Sequence, residues 1–216
     1  MDTEFARQQM VGQQVRAWDV LHPDILDVLK RIPREQFVPT GYEALAFADT
    51  EIPIGCGQTM MTPTLEGRVL QALGPVPADR ILEIGTGTGF LAACLARLSN
   101  SVTSIDIHEE FVNTAKANLE DSGINNVNLL TMDATQDLPD GKFDAIAITG
   151  SIQNFDPRFV MALNPGGRLF VVVGDGPAMD ARVIRRTGDS DWRTESLFET
   201  ELTPLVNGSK PLQFSF

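Results

Sequence analysis

Three glycines separated by single threonines form the stretch of this sequence that is most suggestive of chemistry. Gly85, Gly87 and Gly89 lie in R-I-L-E-I-G-T-G-T-G-F-L, residues 80–91. An apolar run precedes them and a helical pattern of Leu and Ala follows, which predicts a strand, a tight turn and a helix. Glycine lets the backbone turn sharply and approach a ligand without a Cβ in the way, and the helix that follows offers free N–H groups. The turn is therefore a candidate nucleotide-binding loop, although such turns also occur where no ligand binds.

Two acidic residues follow the next two predicted strands. Asp106 lies near the end of the β-rich run S-V-T-S-I-D-I, about 20 residues after the glycines, where dinucleotide-binding folds place a carboxylate for ribose hydroxyls. Asp133 follows a second β-run, residues 127–132. Ligands of open α/β sheets bind at the carboxyl ends of the strands, so these groups are expected at one edge of the sheet. The alternative for Asp106 is a solvated aspartate that begins a turn.

Neither metal nor disulfide chemistry is indicated by the sequence. Cys56 and Cys94 are the only cysteines, which is too few for a disulfide framework or a zinc site. Cys94 falls on the apolar helix after the glycine turn and is predicted to be a small core residue. The only histidines, His22 and His108, do not sit in a cluster with the spacing of metal ligands. We therefore predict no bound metal.

The composition favours a single acidic domain. The chain has 216 residues, 43% of them hydrophobic, a formal net charge of -12 and a pI near 4.5. This charge disfavours nucleic acid as a partner. The basic run A-R-V-I-R-R at 181–186 is predicted to be a strand with one solvent-exposed face rather than a nucleic-acid-binding patch. No apolar run reaches the ~18–20 residues that span a bilayer, so no membrane partner is expected. The N-terminus M-D-T-E-F-A-R-Q-Q is unlike a signal or transit peptide, which favours a cytoplasmic location; the oligomeric state is left open.

The first 78 residues are predicted to be a helical region packed on a core formed by residues 79–216. Apolar spacing predicts helices over 5–17, 23–32 and 64–73, with a short helical turn within 41–47. The stretch I-P-I-G-C-G-Q-T-M-M-T-P-T, residues 52–64, lacks periodicity and is predicted to be a loop. Loops beside a cofactor-binding fold often carry function.

From residue 80 onward, strand and helix patterns alternate, as is typical of a parallel sheet with helices on both faces. Residues 181–187 and 192–202 flank the turn G-D-S-D and predict an antiparallel hairpin at the sheet edge. We therefore predict an α/β fold with a doubly wound, mostly parallel seven-stranded sheet, an N-terminal helical extension and a C-terminal hairpin. Earlier strands are placed at 80–84, 101–106, 126–131, 143–148 and 168–173, and helices at 89–98, 109–121 and 156–163. The chain ends in K-P-L-Q-F-S-F, which is apolar enough to pack on the domain.

Several motifs occur in a fixed order along nearly the whole chain. They are V-G-Q-Q-V-R-A, V-L-K-R-I-P-R-E-Q-F-V-P, I-P-I-G-C-G-Q-T with Pro63, L-E-I-G-T-G-T-G-F, F-D-A-I-A-I-T-G, L-N-P-G-G-R-L and L-T-P-L-V. The glycine turn, the acidic strand ends and the hairpin together resemble a class I S-adenosylmethionine-dependent methyltransferase with a Rossmann-like fold. The N-terminal motifs resemble, more narrowly, the protein-L-isoaspartate O-methyltransferase family. The pair P-R-E-Q-F-V-P and P-I-G-x-G-Q-T is far more specific than the glycine turn.

The resemblance implies methyl transfer from S-adenosyl-L-methionine to the carboxylate of an isoaspartyl residue, so the expected partner is a damaged protein or peptide. A carboxylate with a pKa of about 4 is already a nucleophile at pH 7, and no general base is needed. Catalysis then depends on holding the carboxylate oxygen and the methyl sulfonium in line and on excluding water. This agrees with the lack of an evident His/Asp or Cys/His pair.

Matching positions in the family motifs imply a set of site residues. Glu83 and the glycine turn would hold the amino acid half of the cofactor, Asp106 the ribose, and Asp133 with Ala134 the border of the adenine. Gln58 and Thr59 would lie where cofactor and substrate meet. The implied cofactor residues are Gln58, Thr59, Glu83, Gly85, Thr86, Gly87, Thr88, Gly89, Asp106, Ile107, Asp133, Ala134 and Thr149, and the implied catalytic positions are Thr59 and Met61.

The acceptor side departs from the family pattern. The family loop usually continues G-Q-T-I-S-x-P, with a Ser hydroxyl beside the reacting carboxylate, and Met61 stands in its place here. Ala134 replaces the usual Gly, and residues 149–154, T-G-S-I-Q-N, are less apolar than in the family. Losing a hydrogen bond to a charged group costs ~1.5–3 kcal/mol. A methyltransferase for another acceptor and a catalytically idle cofactor-binding protein are therefore alternatives, unless a neighbouring hydroxyl, Thr59 or Thr62, holds the substrate.

Overall fold

The computed structural model describes residues 3–208 of the chain. The apolar end of the chain, residues 209–216, lies outside the described residues, so its predicted packing on the domain stays a prediction. No helix among the described residues is long and apolar enough to cross a membrane.

The N-terminal region is helical, but its first helix is irregular. Periodicity predicted one helix over 5–17, whereas the chain changes its helical type twice there. The three parts are α1 (Thr3–Gln9), a π-helical turn (Met10–Val15) and a 3-10 turn (Arg16–Trp18). Gly12 lies in the widened turn, where its low helical propensity is tolerated. Two regular helices follow, α2 (Pro23–Arg31) and α3 (Pro63–Leu73), and each begins with a proline, whose missing N–H costs nothing in a first turn.

Residues 52–60 form a hairpin, and Pro63 begins α3, where a loop was predicted over 52–64. Strand β1 (Ile52–Gly55) pairs antiparallel with β2 (Gln58–Met60). Cys56, at the turn, has a φ of +49°, a conformation that non-glycine residues rarely adopt. The prediction was wrong because strands of three and four residues are too short to show an alternating pattern.

The predicted seven-stranded sheet is confirmed. Its strands are β3 (Arg80–Ile84), β4 (Ser101–Asp106), β5 (Val127–Thr131), β6 (Phe143–Ile152), β7 (Leu163–Val173), β8 (Met179–Arg186) and β9 (Trp192–Thr200). Their order is β5-β4-β3-β6-β7-β8-β9, with β3 to β7 parallel and β8 and β9 antiparallel at one edge. The connecting helices are α4 (Phe90–Leu98), α5 (Glu109–Asp121) and α6 (Pro157–Met161).

Alternating residues of the strands pack into two hydrophobic cores, one on each face of the sheet. Ile81 belongs to the core shared with α2, α3 and α4, and Leu82 belongs to the core shared with α6. Because side chains alternate along a strand, Glu83 lies on the same face as Ile81, towards α3. Cys94 is fully buried in the first core, as predicted.

The basic run of β8 contains one solvent-exposed arginine and one buried arginine. Arg185 is exposed, whereas Arg186 is 8% exposed and donates hydrogen bonds to the carbonyls of Leu163 and Gly188. Its guanidinium therefore ties the end of the hairpin to the start of β7. The predicted strand is present, and Arg186 is buried in it because a buried arginine can satisfy several main-chain carbonyls at once.

Candidate active site

Two of the three glycines in the turn after β3 are required by packing within the protein. A Cβ on Gly85 would lie 2.2 Å from Thr149 Oγ1, and one on Gly89 would lie 2.9 Å from a side chain of α5. A Cβ on Gly87 would meet only Ile54 Cδ1, at 3.3 Å. All three have a positive φ. Gly87 is therefore the glycine whose missing side chain leaves space for a ligand.

Asp106 joins the glycine turn to the start of α5. Its Oδ2 accepts a hydrogen bond from the Gly87 N–H at 3.0 Å, and its Oδ1 accepts one from the His108 N–H at 3.0 Å. Each carboxylate oxygen has a further lone pair that can accept from a ligand hydroxyl. The two interpretations of Asp106, as a turn residue and as a ligand-binding residue, are thus compatible.

A cleft opens at the carboxyl ends of β3, β4 and β6, and we call it the main cleft. It lies where small-molecule sites of open α/β sheets usually occur. Most of the predicted cofactor residues converge on it although they come from separate parts of the chain. Those that line it are Gln58, Thr59, Gly85, Gly87, Asp106, Ile107, Asp133, Ala134 and Thr149.

A smaller space, which we call the inner cavity, adjoins the main cleft and shares Ile54, Thr59, Gly85, Gly87 and Thr149 with it. The other predicted residues that line it are Met61, Glu83, Thr86 and Thr88. Gly89 lines neither space and packs against α5, so its predicted cofactor contact stays a prediction.

Glu83 is a fully buried carboxyl group at the wall of the inner cavity. Its Oε2 accepts a hydrogen bond from Ser104, whereas its Oε1 has no hydrogen-bond partner among residues 3–208. Burial raises the pKa of Glu83 to about 8, the Ser104 hydrogen bond opposes this, and the negative charges of Asp106 and Glu66 add to it. Glu83 is consequently protonated at neutral pH in the absence of a cationic partner.

The hydroxyl of Thr86 forms a hydrogen bond within the protein. Thr86 Oγ1 lies 2.7 Å from Ser104 Oγ, which in turn donates to Glu83. The three side chains form a buried polar chain between β3, the glycine turn and β4. It is satisfied except at Glu83 Oε1, which makes that oxygen the place where a ligand donor would complete the network.

Met61 is held by Arg34, a residue that the motif P-R-E-Q-F-V-P contains but that the sequence analysis did not single out. Arg34 is fully buried and donates to the carbonyls of Met61 and Ala46, both at 2.6 Å. It also forms an ion pair with Glu66 of α3 at 3.0 Å. Burial raises the pKa of Glu66 to about 7, although the charge of Arg34 opposes this rise. The backbone at Met61 is thereby fixed between α3 and the residues that follow the motif.

The hydroxyls next to Met61 differ in availability. Thr62 caps α3, since its Oγ1 accepts from the Leu65 N–H at 3.3 Å. Thr59 Oγ1 donates to Glu51 at 3.0 Å and lies 3.4 Å from the hydroxyl of Thr203. Thr62 is therefore committed to the helix, and Thr59 remains at the entrance to both spaces.

The residues that follow β9 form a second wall of the main cleft, and we call residues 202–207 the C-terminal segment. Its backbone pairs with Ser151, whose N–H donates to Thr203 O at 3.0 Å and whose carbonyl accepts from the Leu205 N–H at 2.9 Å. Leu205 lines the cleft, and Asn207 Nδ2 donates to Asp133 Oδ2 at 3.0 Å. Burial tends to raise the pKa of Asp133, but hydrogen bonds from Thr135 and Asn207 lower it overall.

Sequence reasoning missed several residues that line the main cleft, including His108, Phe111, Met132, Leu205 and Val206. His108 and Phe111 sit at the start of α5, directly after the predicted Asp106, so proximity to that residue was an available signal. Leu205 and Val206 had no such signal, because only the folded chain brings the C-terminal segment to the cleft.

The comparisons with known proteins agree with one another. A family model described as Protein-L-isoaspartate(D-aspartate) O-methyltransferase (PCMT) matches residues 6–210. Protein-L-isoaspartate O-methyltransferase 2 from Pelobacter propionicus is 35% identical over 205 residues, which cover 94% of this chain and 91% of that protein. Protein-L-isoaspartate O-methyltransferase from Koribacter versatilis is 35% identical over 207 residues, which cover 94% and 93%.

Solved structures share the fold. A Plasmodium falciparum structure, described as a candidate protein-L-isoaspartate O-methyltransferase in complex with S-adenosyl-L-homocysteine, superposes with a TM-score of 0.79. It is 18% identical, and the match covers 92% of this chain and 97% of that one. At this identity the similarity establishes the architecture of the sheet and its helices.

Proposed function

The chain belongs to the protein-L-isoaspartate(D-aspartate) O-methyltransferase family, and from this membership we propose that it methylates the carboxylate of isoaspartyl residues in damaged proteins and peptides. It is an enzyme that depends on S-adenosyl-L-methionine. The observation that carries the proposal is the convergence of the family's motif residues on one cleft at the carboxyl edge of the sheet. Ligands of open α/β sheets bind at this edge.

The residues around the main cleft suit S-adenosyl-L-methionine. Asp106 and Asp133 are carboxylates on neighbouring strand ends, and we propose that they accept hydrogen bonds from ribose hydroxyls and from the adenine amino group. Ile107 and Ala134 line the same cleft and offer apolar surface to the base. The unpartnered Oε1 of Glu83 suits the ammonium group of the amino acid half. Gly87 leaves the space that this half needs.

S-adenosyl-L-methionine supplies an electrophilic methyl group: a carboxylate oxygen takes it up as a methyl ester, while the electron pair of the broken C–S bond stays on sulfur. The substrate carboxylate is charged at neutral pH, so the protein has no proton to remove. What its residues contribute is alignment of the carboxylate at the entrance to both spaces, which Thr59 lines. We propose that Met61 contributes by filling the wall of the inner cavity with an apolar side chain, which is 7% exposed.

Two separate parts of the chain limit the access of water to the site. The β1–β2 hairpin covers one side, where its turn residue Cys56 contacts Glu110 at the start of α5. The C-terminal segment covers the other side through Leu205 and the hydrogen bond between Asn207 and Asp133. We propose that these covers exclude water during methyl transfer and open for cofactor exchange.

The alternatives are not favoured. Met61 suggested a methyltransferase for another acceptor or an idle cofactor-binding protein. However, relatives that are 35% identical over more than nine tenths of the chain are named protein-L-isoaspartate O-methyltransferases. A methyl-transfer assay with labelled S-adenosyl-L-methionine tests the proposal. An isoaspartyl peptide should be methylated and its aspartyl twin should not. Equal labelling of both peptides, or of neither, would contradict the proposed substrate.

A further inference from the structure

Two threonine hydroxyls meet at the junction between the hairpin and the C-terminal segment. Thr59 Oγ1 and Thr203 Oγ1 are 3.4 Å apart, although 144 positions separate the two residues in the chain. Thr59 lines both the main cleft and the inner cavity. Thr203 itself lines neither space, but its hydroxyl contacts the wall of both through Thr59, from a part of the chain remote from the family loop.

The backbone of Thr203 is held firmly. Ser151 donates its N–H to the Thr203 carbonyl at 3.0 Å and its hydroxyl to the carbonyl of Leu202 at 2.8 Å. Leu202 is 3% exposed and belongs to the first core. A backbone fixed through two hydrogen bonds and a buried neighbour places the Cα–Cβ bond of Thr203 reproducibly, as the positioning of a reacting group requires.

Three other hydroxyls around the site are already engaged. Thr62 Oγ1 lies 3.0 Å from Thr64 Oγ1 and is the donor there, because Thr64 donates to Asp49. Thr86 is likewise the donor to Ser104, because Ser104 donates to Glu83. Thr149 Oγ1 lies 2.9 Å and 2.8 Å from the carbonyls of Ile84 and Gly85, so its proton is committed to the main chain. These three hydroxyls are not free to donate to a substrate.

The proton of Thr59 is committed to a carboxylate, whereas that of Thr203 makes only a longer contact with Thr59. A threonine hydroxyl has one proton, and Thr59 donates its own to Glu51 Oε2 at 3.0 Å. In the contact between the two threonines, Thr203 is accordingly the donor. Rotation about its C–O bond turns this donor from Thr59 towards a ligand. Glu51 is negatively charged and disfavours a second carboxylate beside Thr59, which leaves the Thr203 side as the better place for one.

We propose that Thr203 supplies the hydroxyl that binds the substrate carboxylate, in the role that Met61 cannot fill. The proposal rests on the isoaspartyl methyltransferase function proposed above. It makes the acceptor site of this chain a rearranged one, in which the hydroxyl comes from the C-terminal segment instead of the loop after β2. Thr203 is then a substrate-binding residue that the sequence comparison with the family motif does not reveal.

Removal of this hydroxyl tests the proposal. Thr203→Val keeps the shape of the side chain and removes the donor, and it should lower kcat/KM for an isoaspartyl peptide by about 10- to 100-fold. Thr203→Ser retains the donor and should keep most of the activity. The Kd for S-adenosyl-L-homocysteine should stay within about twofold of wild type in both variants, because the cofactor does not need this hydroxyl. Thr194→Val, on the exposed part of β9, reports the general effect of such a substitution.

A second substitution separates a substrate contact from a structural role. In the Thr203→Val background, Met61→Ser should restore part of the lost kcat/KM, because it returns a hydroxyl to the position at which the family motif has one. Equal turnover by wild type and Thr203→Val overturns the proposal. A loss that Met61→Ser does not restore and that is matched by weaker cofactor binding also overturns it. If the wild type binds S-adenosyl-L-homocysteine but leaves the isoaspartyl peptide unmethylated, the proposed function itself fails, and the role of Thr203 falls with it.

Discussion

Arg34 and Met61 are joined by a buried hydrogen bond, in which the guanidinium Nη2 donates to the Met61 carbonyl at 2.6 Å. The same guanidinium pairs with Glu66 of α3 and donates to Ala46. The P-R-E-Q-F-V-P motif and the loop that carries the acceptor site are thus one structural unit. The arginine fixes the main chain at position 61 whatever side chain that position carries.

Breaking the buried ion pair should be costly. Arg34→Met leaves Glu66 buried without its partner, and removal of one member of such a pair typically costs about 3–5 kcal/mol. We expect a matching loss in the free energy of unfolding, measured by urea denaturation. The double variant Arg34→Met/Glu66→Leu should recover part of it, since no charge is then left unpaired. Equal stability of the single variant and wild type would show that the pair contributes nothing.

Gly87 should be essential for cofactor binding. Gly87→Val should abolish binding of S-adenosyl-L-homocysteine, because its side chain would fill the space beside Ile54 that opens into the main cleft. Gly87→Asn separates steric exclusion of the ligand from backbone strain. Asparagine also adds a side chain, but it tolerates the positive φ of this position better than valine does. Isothermal titration measures the affinities. If either variant bound the ligand as tightly as wild type while remaining folded, the cleft would not be the cofactor site.

Asp106 should contribute through the ribose. Asp106→Ala removes a charged acceptor, and we expect a loss of ~1.5–3 kcal/mol, which is roughly a 10- to 150-fold weaker Kd for S-adenosyl-L-homocysteine. The substitution also removes the acceptor of the Gly87 N–H, so a second ligand is needed as a control. A 2′,3′-dideoxy analogue should bind wild type and variant with similar affinity. A full penalty with the analogue would mean that Asp106 only supports the turn.

Glu83 should make stability fall as pH rises. Its pKa is about 8 in the folded protein because of burial, against an ordinary value of 4.5 in the unfolded chain. Between these two pH values the unfolded chain releases the proton while the folded protein keeps it, so rising pH favours unfolding over this window. Glu83→Gln should flatten the dependence, as seen in urea midpoints between about pH 5 and 8. An unchanged slope would show that Glu83 titrates normally.

Local pattern was sufficient for much of the fold. The strand, glycine turn and helix around Gly85 show periods of two and 3.6 residues that depend only on neighbouring residues, so β3, β4, α4 and α5 were placed within a residue of their observed bounds. Gly85, Asp106 and Asp133 could be assigned to one edge because the carboxyl ends of parallel strands must meet there. The β1–β2 hairpin escaped prediction because its strands are too short to display a period.

What the amino-acid order alone determined, therefore, is the class of fold, the family and the edge of the sheet at which the acidic strand ends meet. Only the tertiary structure decided which hydroxyls and charges lie beside one another there. Arg34 reaches Met61 from 27 residues away, and Thr203 reaches Thr59 from 144 residues away. No local pattern encodes such contacts, because they depend on how β6 and the residues after β9 pair and on how α3 packs against the hairpin loop. Tertiary contacts also explain why positions 85 and 89 are glycine, because a Cβ on Gly85 would collide with Thr149 and one on Gly89 would collide with α5.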